Sequence, residues 1–119
     1  MKRDISLFIK DIHEYMIKAE ALLENMSFED FMRDERTLLA VERCFGIIGE
    51  ASKNVPDKIR HRYPKISWKK MAGLRDKLSH FYFGINHKRV WSIIKEDIPL
   101  LKDQIKAIIV DMESESEFT

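Results

Sequence analysis

The sequence predicts an all-α fold, an up-and-down helical bundle, on three observations. Long segments carry apolar residues three or four apart, which is the period of a helix with one buried face. Only four Gly and three Pro occur in 119 residues, too few to punctuate the many turns of a small all-β domain. Hydrophobic residues make up 45% of the chain and charged residues 34%, a balance that supports a compact core and is too apolar for a disordered chain. Residues 1–119 are expected to form a single domain. A two-domain enzyme with its own cofactor module is thereby excluded, and one site or one interface must do the work.

The first helix is the most strongly patterned. From Ile5, the residues Phe8, Ile9, Ile12, Tyr15, Met16, Ala19, Leu22, Leu23 and Met26 trace one stripe of a long helix that ends near Asn25. Ser27 with Asp30 three residues on is an N-cap signal, and Met26 and Phe31 hold the positions of a hydrophobic staple, so a short helix starts there. Leu38, Val41, Phe45, Ile48, Ser52 and Val55 repeat the helical spacing and predict a second long helix from about Asp34 to Asn54, antiparallel to the first. Its small residues Gly46, Gly49 and Ala51 permit close helix contact. Pro56 opens a short helical turn to about Arg62, and Tyr63-Pro64 ends it, because the residue before proline avoids the helical region. Ser67 is the expected N-cap of a helix from Trp68 to about His80. Phe83-Gly84-Ile85-Asn86 reads as a loop, with Asn86 capping a last helix that carries Val90, Trp91, Ile94, Leu101, Ile105, Ile108 and Met112. Pro99 must kink or interrupt that helix. The acidic end, about residues 111–119, is expected to fray.

Several function classes drop out. No uncharged stretch approaches the roughly 18 to 20 residues needed to cross a bilayer. The opening Met-Lys-Arg-Asp, followed by Lys10 and Asp11, lacks the apolar core of a secretory signal, so a cytoplasmic location is expected. Cys44 is alone, which excludes an internal disulfide and a cysteine-based zinc cage. His13, His61 and His87 show no metal-ligand spacing, so no metal and no cofactor is expected. Trp68, Trp91 and Phe45 are expected in the core, with Met16, Met26, Met32 and Met71 filling gaps between helices.

Charge is unevenly spread although the net value is only +1. Between Asp57 and Lys77 eight basic residues face two acids, and between Asp11 and Glu35 eight acids face two bases. The molecule is expected to be bipolar, with a positive region that attracts phosphate. The plainer alternative is a pair of ordinary solvated helix faces.

Within the basic segment, Leu74-Arg75-Asp76-Lys77-Leu78-Ser79-His80-Phe81-Tyr82 crowds four chemically useful groups at the end of a predicted helix. Arg75 and Ser79 are four apart, as are Asp76 and His80, so each pair shares a strip of helix surface. The Asp76 carboxylate can accept a hydrogen bond from His80 and orient its ring, and the C-terminal end of a helix favours a protonated histidine. An arginine, a histidine and a positive approach, with no metal cluster, suit cleavage of RNA. The 2′-hydroxyl is a built-in nucleophile, so the enzyme need only move protons and stabilise charge on the phosphate. His80 can move protons; Arg75 offers a fixed fork of donors. Lys69, Lys70, Lys77 and Ser79 are candidate phosphate contacts. One chain supplies one such histidine, and a homodimer would supply two. The alternative is a capped helix end with a structural histidine. Glu50 is either a solvated helix residue or a buried partner for a cation near this segment.

Arg75-x4-His80-x-Tyr82 resembles the R-x4-H-x-Y motif of the HepT-like toxins, a branch of the HEPN superfamily of helical ribonuclease domains. Gly46-Ile47-Ile48-Gly49-Glu50-Ala51-Ser52-Lys53 is similar to the family's second-helix segment. Tyr82-Phe83-Gly84-Ile85-Asn86, Val90-Trp91 and Asp97-Ile98-Pro99-Leu100 are similar to its motif loop and last helix. The resemblance covers about Leu38 to Leu101, and the first helix fits by pattern. It implies a dimeric HEPN-type bundle with two motifs facing one cleft, and metal-independent RNA cleavage. It also implies a nucleotidyltransferase-fold antitoxin as partner, able to attach adenylate to the motif tyrosine, which by position is Tyr82. One residue departs from the pattern: the position after the motif arginine is often asparagine in this family and here is Asp76, which adds negative charge beside a phosphate site. A competing expectation is a catalytically inactive helical module that uses the same surface to hold a nucleotidyltransferase partner or a nucleotide.

Overall fold

The computed structural model describes residues 4–77 and 86–115, and all regular structure among them is helical. Helix α1 (Ile5–Leu23) starts at Asp4, whose side chain accepts a hydrogen bond from the Ser6 N–H at 2.9 Å. It buries Ile9, Ile12, Met16, Ala19 and Leu23, the expected stripe. Helix α2 (Phe28–Arg33) is set by a reciprocal cap: Asp30 N–H donates to Ser27 Oγ at 3.1 Å, and Ser27 N–H donates to the Asp30 carboxylate at 3.4 Å. Helix α3 (Glu35–Lys53) starts at Asp34, which accepts from the Thr37 N–H at 3.0 Å. Hydrogen bonding to Thr37 holds the Asp34 carboxyl below the usual carboxylate range.

The two long helices sit against each other, and α8 (Ile98–Ser114) completes the core. Lys102 pairs with Glu20 at 2.6 Å, and Lys95 Nζ donates to the Leu23 carbonyl at 3.3 Å. Rising numbers on the last helix thus meet falling numbers on α1, so these two run antiparallel. Ile12, Met16, Phe45, Ile48, Ile105 and Ile108 are all fully buried in this core. Each side chain of this size removed from water stabilises the fold by about 1.5–3 kcal/mol.

The last helical segment begins with α7 (His87–Ser92), capped by Asn86, which accepts from the Arg89 N–H at 2.9 Å. Pro99 does distort this segment, by widening rather than breaking it: Ile93–Asp97 form a π-helical turn that runs directly into α8. Proline lacks an N–H and its ring excludes the carbonyl four residues back, here that of Lys95, so the wider turn relieves both constraints. The added residue also keeps the face in phase, since Ile93 and Ile98, five apart, are both buried.

Four sequence expectations need correction or extension. The helix expected from Trp68 to about His80 is interrupted at Gly73, giving α5 (Trp68–Ala72) and α6 (Leu74–Lys77). Gly73 closes α5 with its N–H on the Lys69 carbonyl at 3.0 Å, and Ser67 precedes α5 without a side-chain cap bond. Met32 is 52% exposed and fills no gap. Helix α4 (Asp57–Arg62) is followed by Tyr63, whose hydroxyl donates to Asp111 at 2.6 Å, while Arg62 donates to the Glu115 carboxylate at 2.7 Å. Helical structure therefore continues through Ser114, past the point where acidic composition predicts fraying. Trp68 and Phe45 are buried as expected, and Trp91 packs edge-on to Phe28 with ring centroids 5.7 Å apart. Among the described residues, no helix is long and apolar enough to cross a membrane.

Candidate active site

The basic segment is seated on the C-terminal half of α3, and Gly49 is the reason it can come so close. A Cβ at Gly49 would lie 2.7 Å from the Arg75 Cβ, 2.8 Å from the Arg75 backbone N and 3.1 Å from the Ala72 carbonyl. Real Cβ atoms do not approach backbone so nearly, so only glycine allows α6 to rest on α3 at Arg75. Leu74 and Met71, both buried, anchor the same segment to the core.

One residue further along α3, Glu50 accepts a hydrogen bond from Arg75 Nη1 and forms an ion pair with it. Of the two roles read for Glu50 in the sequence, neither holds as stated: it partners the cation, but as an exposed residue of the helix surface rather than a buried one. Arg75 and Asp76 are both exposed on α6. Ser79, His80 and Tyr82 lie outside the described residues, as does the expected contact between His80 and Asp76. Lys77 closes α6.

The remaining cations divide into structural and available ones. Arg60 is structural: its Nη2 donates to the Ser52 carbonyl at 2.7 Å and its Nε to the Val55 carbonyl at 3.0 Å, satisfying groups at the C-terminal end of α3. Arg62 is tied to Glu115, and Lys70 pairs with Asp97 at 2.9 Å. Lys58, Lys65 and Lys69 make no ion pair among the described residues. The local positive excess read from the sequence is thus partly neutralised by acids from distant segments.

Beside α5 and α6 runs a groove of about 650 Å³, lined by Trp68, Lys69, Lys70, Gly73, Leu74 and Arg89 among others. Arg89 is a cation that sequence reasoning does not single out. Nothing in its spacing from Arg75 marks it, since it reaches the groove only through the placement of α7. A groove with an apolar floor and cations on its rim suits a polyanion with flat bases.

Three other titratable groups are set by their surroundings. Burial pushes the Cys44 thiol up, which keeps it protonated and unsuited to nucleophilic work. Burial, then the hydrogen bond to Asp111, pushes Tyr63 up to about 12. His13 is held below its ordinary value, first by burial and then by Lys106 and Lys102.

Comparison with known proteins extends this picture along the chain. The family model described as "Ribonuclease HepT-like" matches residues 12–108, which includes α1 from its third turn onward. The "Putative RNase MJ1216" of Methanocaldococcus jannaschii is 44% identical over 116 residues, covering 98% of this chain and 96% of that protein. The "Probable ribonuclease HepT" of Thermococcus cleftensis is 43% identical over 108 residues, covering 91% of this chain and 98% of the relative. The "Putative RNase TTE0752" of Caldanaerobacter subterraneus is 45% identical over 87 residues, covering 73% and 78%. No solved structure matches the chain.

Proposed function

Because this chain belongs to the HepT-like ribonuclease family, we propose that it cleaves RNA without a metal, using the Arg75-x4-His80-x-Tyr82 segment. Arg75 contacts the scissile phosphate, His80 moves the protons and Asp76 orients His80. Lys69, Lys77 and Ser79 hold flanking phosphates, and Lys70 joins them when a phosphate replaces Asp97 as its partner. The single observation that carries this reading is the placement of Arg75, whose exposed guanidinium stands on a helix seated directly on the core at Gly49. A phosphate contact needs such a fixed donor fork within reach of solvent. Two copies of the chain form the working cleft and supply two histidines.

In the cell this activity makes the protein the toxin of a toxin–antitoxin pair, controlled by a nucleotidyltransferase-fold antitoxin that adenylylates Tyr82. The new phosphate and base would occupy the electrostatic site that RNA requires. Incubation with that partner and ATP should place adenylate on Tyr82 by mass spectrometry, and Tyr82→Phe should escape silencing.

The deciding experiment uses the purified protein in chelator with a single-stranded RNA. Wild type should cut, whereas His80→Ala and Arg75→Ala should not. Equal cutting by all three ends the assignment. A second reading, a non-catalytic helical module that holds a nucleotidyltransferase or a nucleotide, is favoured by two carboxylates, Glu50 and Asp76, so near the motif arginine. No cutting by wild type, together with retained partner binding, selects that reading.

A further inference from the structure

Glu50 has no structural need for its partner. The Glu50 and Arg75 side chains are 56% and 54% exposed, so the pair does not neutralise a buried charge, and water would solvate either group alone. Yet the arrangement around it is built with little slack. Gly49 brings the Arg75 backbone against α3, and the next residue carries the carboxylate that takes Nη1. The two helices differ in rigidity by construction: α3 is a 19-residue helix with one face in the core, while α6 has four residues. A carboxylate issuing from the longer helix therefore fixes a flexible side chain issuing from the shorter one. Arg75 uses Nη1 for this bond, and its Nε and Nη2 make no hydrogen bond among the described residues. A guanidinium keeps its five donors in one plane, so fixing one nitrogen orients the others.

We infer that Glu50 is a positioning residue for RNA cleavage, holding the guanidinium of Arg75 by Nη1 so that its remaining donors are set for the reacting phosphate. This rests on the ribonuclease reading of Arg75. It carries a cost that a purely structural residue would not impose, because a carboxylate beside the phosphate site repels the substrate while it orders the arginine. Removing the charge should therefore shift binding and turnover in opposite directions.

The test is cleavage kinetics on a short single-stranded RNA, alongside binding of the same oligonucleotide made uncleavable by 2′-O-methylation. Glu50→Gln, which keeps an oxygen acceptor and loses the charge, should lower kcat on the order of tenfold and tighten binding of the uncleavable RNA about two- to fivefold. Glu50→Ala should lower kcat further, with binding as tight as for Glu50→Gln. In a background slowed by Arg75→Lys, Glu50→Gln should change kcat by much less than in wild type, since the two residues act as one unit. Thermal melting of each variant should match wild type. If wild type cuts RNA and Glu50→Gln cuts equally fast, or loses kcat and affinity together, or reduces kcat as much beside Arg75→Lys as alone, the positioning role is overturned while the ribonuclease reading stands. If wild type does not cut, the ribonuclease reading falls first and this inference with it.

Discussion

On α1, α3 and α8 the contacts are made by runs of apolar side chains, whereas on α5 and α6 a few apolar anchors, Trp68, Met71 and Leu74, are joined by specific meetings of unlike groups. Ile9, Ile12, Met16, Ala19 and Leu23 on α1 share a single face, and any one of them touches a core that many others also fill. Helix α6, four residues long, is seated by Leu74 and by the absence of a side chain at Gly49, and the exposed Arg75–Glu50 pair orients its arginine. The first kind of contact is redundant and scales with area; the second fails as a unit when one atom is added. Stability accordingly resides in the long helices, and the placement of the motif arginine resides in the second region.

The largest loss should come from emptying the core. Ile105 is fully buried on α8, and Ile105→Ala should destabilise the protein by about 2–5 kcal/mol, read as a lower urea midpoint. Conditions under which the variant is still folded should leave RNA cleavage close to wild type, because α8 does not carry the motif. A variant that stays folded yet loses cleavage would break the separation between the two regions.

Two glycines on one helix give a sharper contrast. Gly46 has nothing within 4 Å of an added Cβ, whereas at Gly49 that atom would collide with Arg75 backbone. Gly49→Ala should cost about 1–3 kcal/mol by overpacking and should reduce cleavage as α6 lifts from α3. Gly46→Ala should do the reverse, raising stability by about 0.5–1 kcal/mol because alanine loses less entropy in a helix. Melting of both variants beside wild type checks the pair, and equal signs would refute the close seat at Gly49.

The same division explains which features are legible in the sequence. The stripes of α1 and α3, the Ser27–Asp30 cap and the Asn86 cap follow from local spacing, and each is present. Local spacing also pairs Arg75 with Ser79 and Asp76 with His80 on shared strips of helix surface; Arg75 and Asp76 are exposed, while their expected partners lie outside the described residues. It does not announce that Gly73 divides the motif helix, since a helix tolerates an interior glycine on propensity alone. Nor does it reveal which acid meets which base. Glu50 and Arg75 are 25 residues apart, Arg62 and Glu115 are 53 apart, and Arg60 reaches back to the carbonyls of α3. Such pairings depend on how helices are rotated against one another, which is decided by packing after the helices exist. Cations counted as a phosphate-attracting run therefore prove to be partly caps and tethers.

A smaller effect tests one tether. Tyr63→Phe removes the donor to Asp111 and should cost about 1 kcal/mol. Since Tyr63 is raised from 10.0 to about 12, its contribution is complete below pH 10 and is lost as pH rises towards 12, where the folded phenol ionises. The wild-type advantage over Tyr63→Phe should therefore hold at neutral pH and shrink in alkali, as followed by chemical denaturation. An advantage that persists unchanged above pH 12 would contradict the hydrogen bond as its source.

The smallest effect is expected at His13, on the border of the long-helix core. Its folded value lies below the ordinary 6.5, chiefly through burial and then through Lys106 and Lys102, with Asp103 acting in the opposite sense. The sign is set by proton uptake. Above 6.5 the ring is neutral in both states and titration adds nothing. As pH falls below 6.5 the unfolded chain takes up a proton that the folded chain resists, so unfolding becomes easier until the folded value is reached. His13→Gln should remove this part of the acid sensitivity while leaving that of Asp34, which titrates at lower pH. Urea midpoints of both proteins at about pH 7.5 and about pH 5.5 provide the measurement. Wild type should lose more stability between the two than His13→Gln, and parallel losses would show that neither burial nor the lysines of α8 hold His13 below its ordinary value.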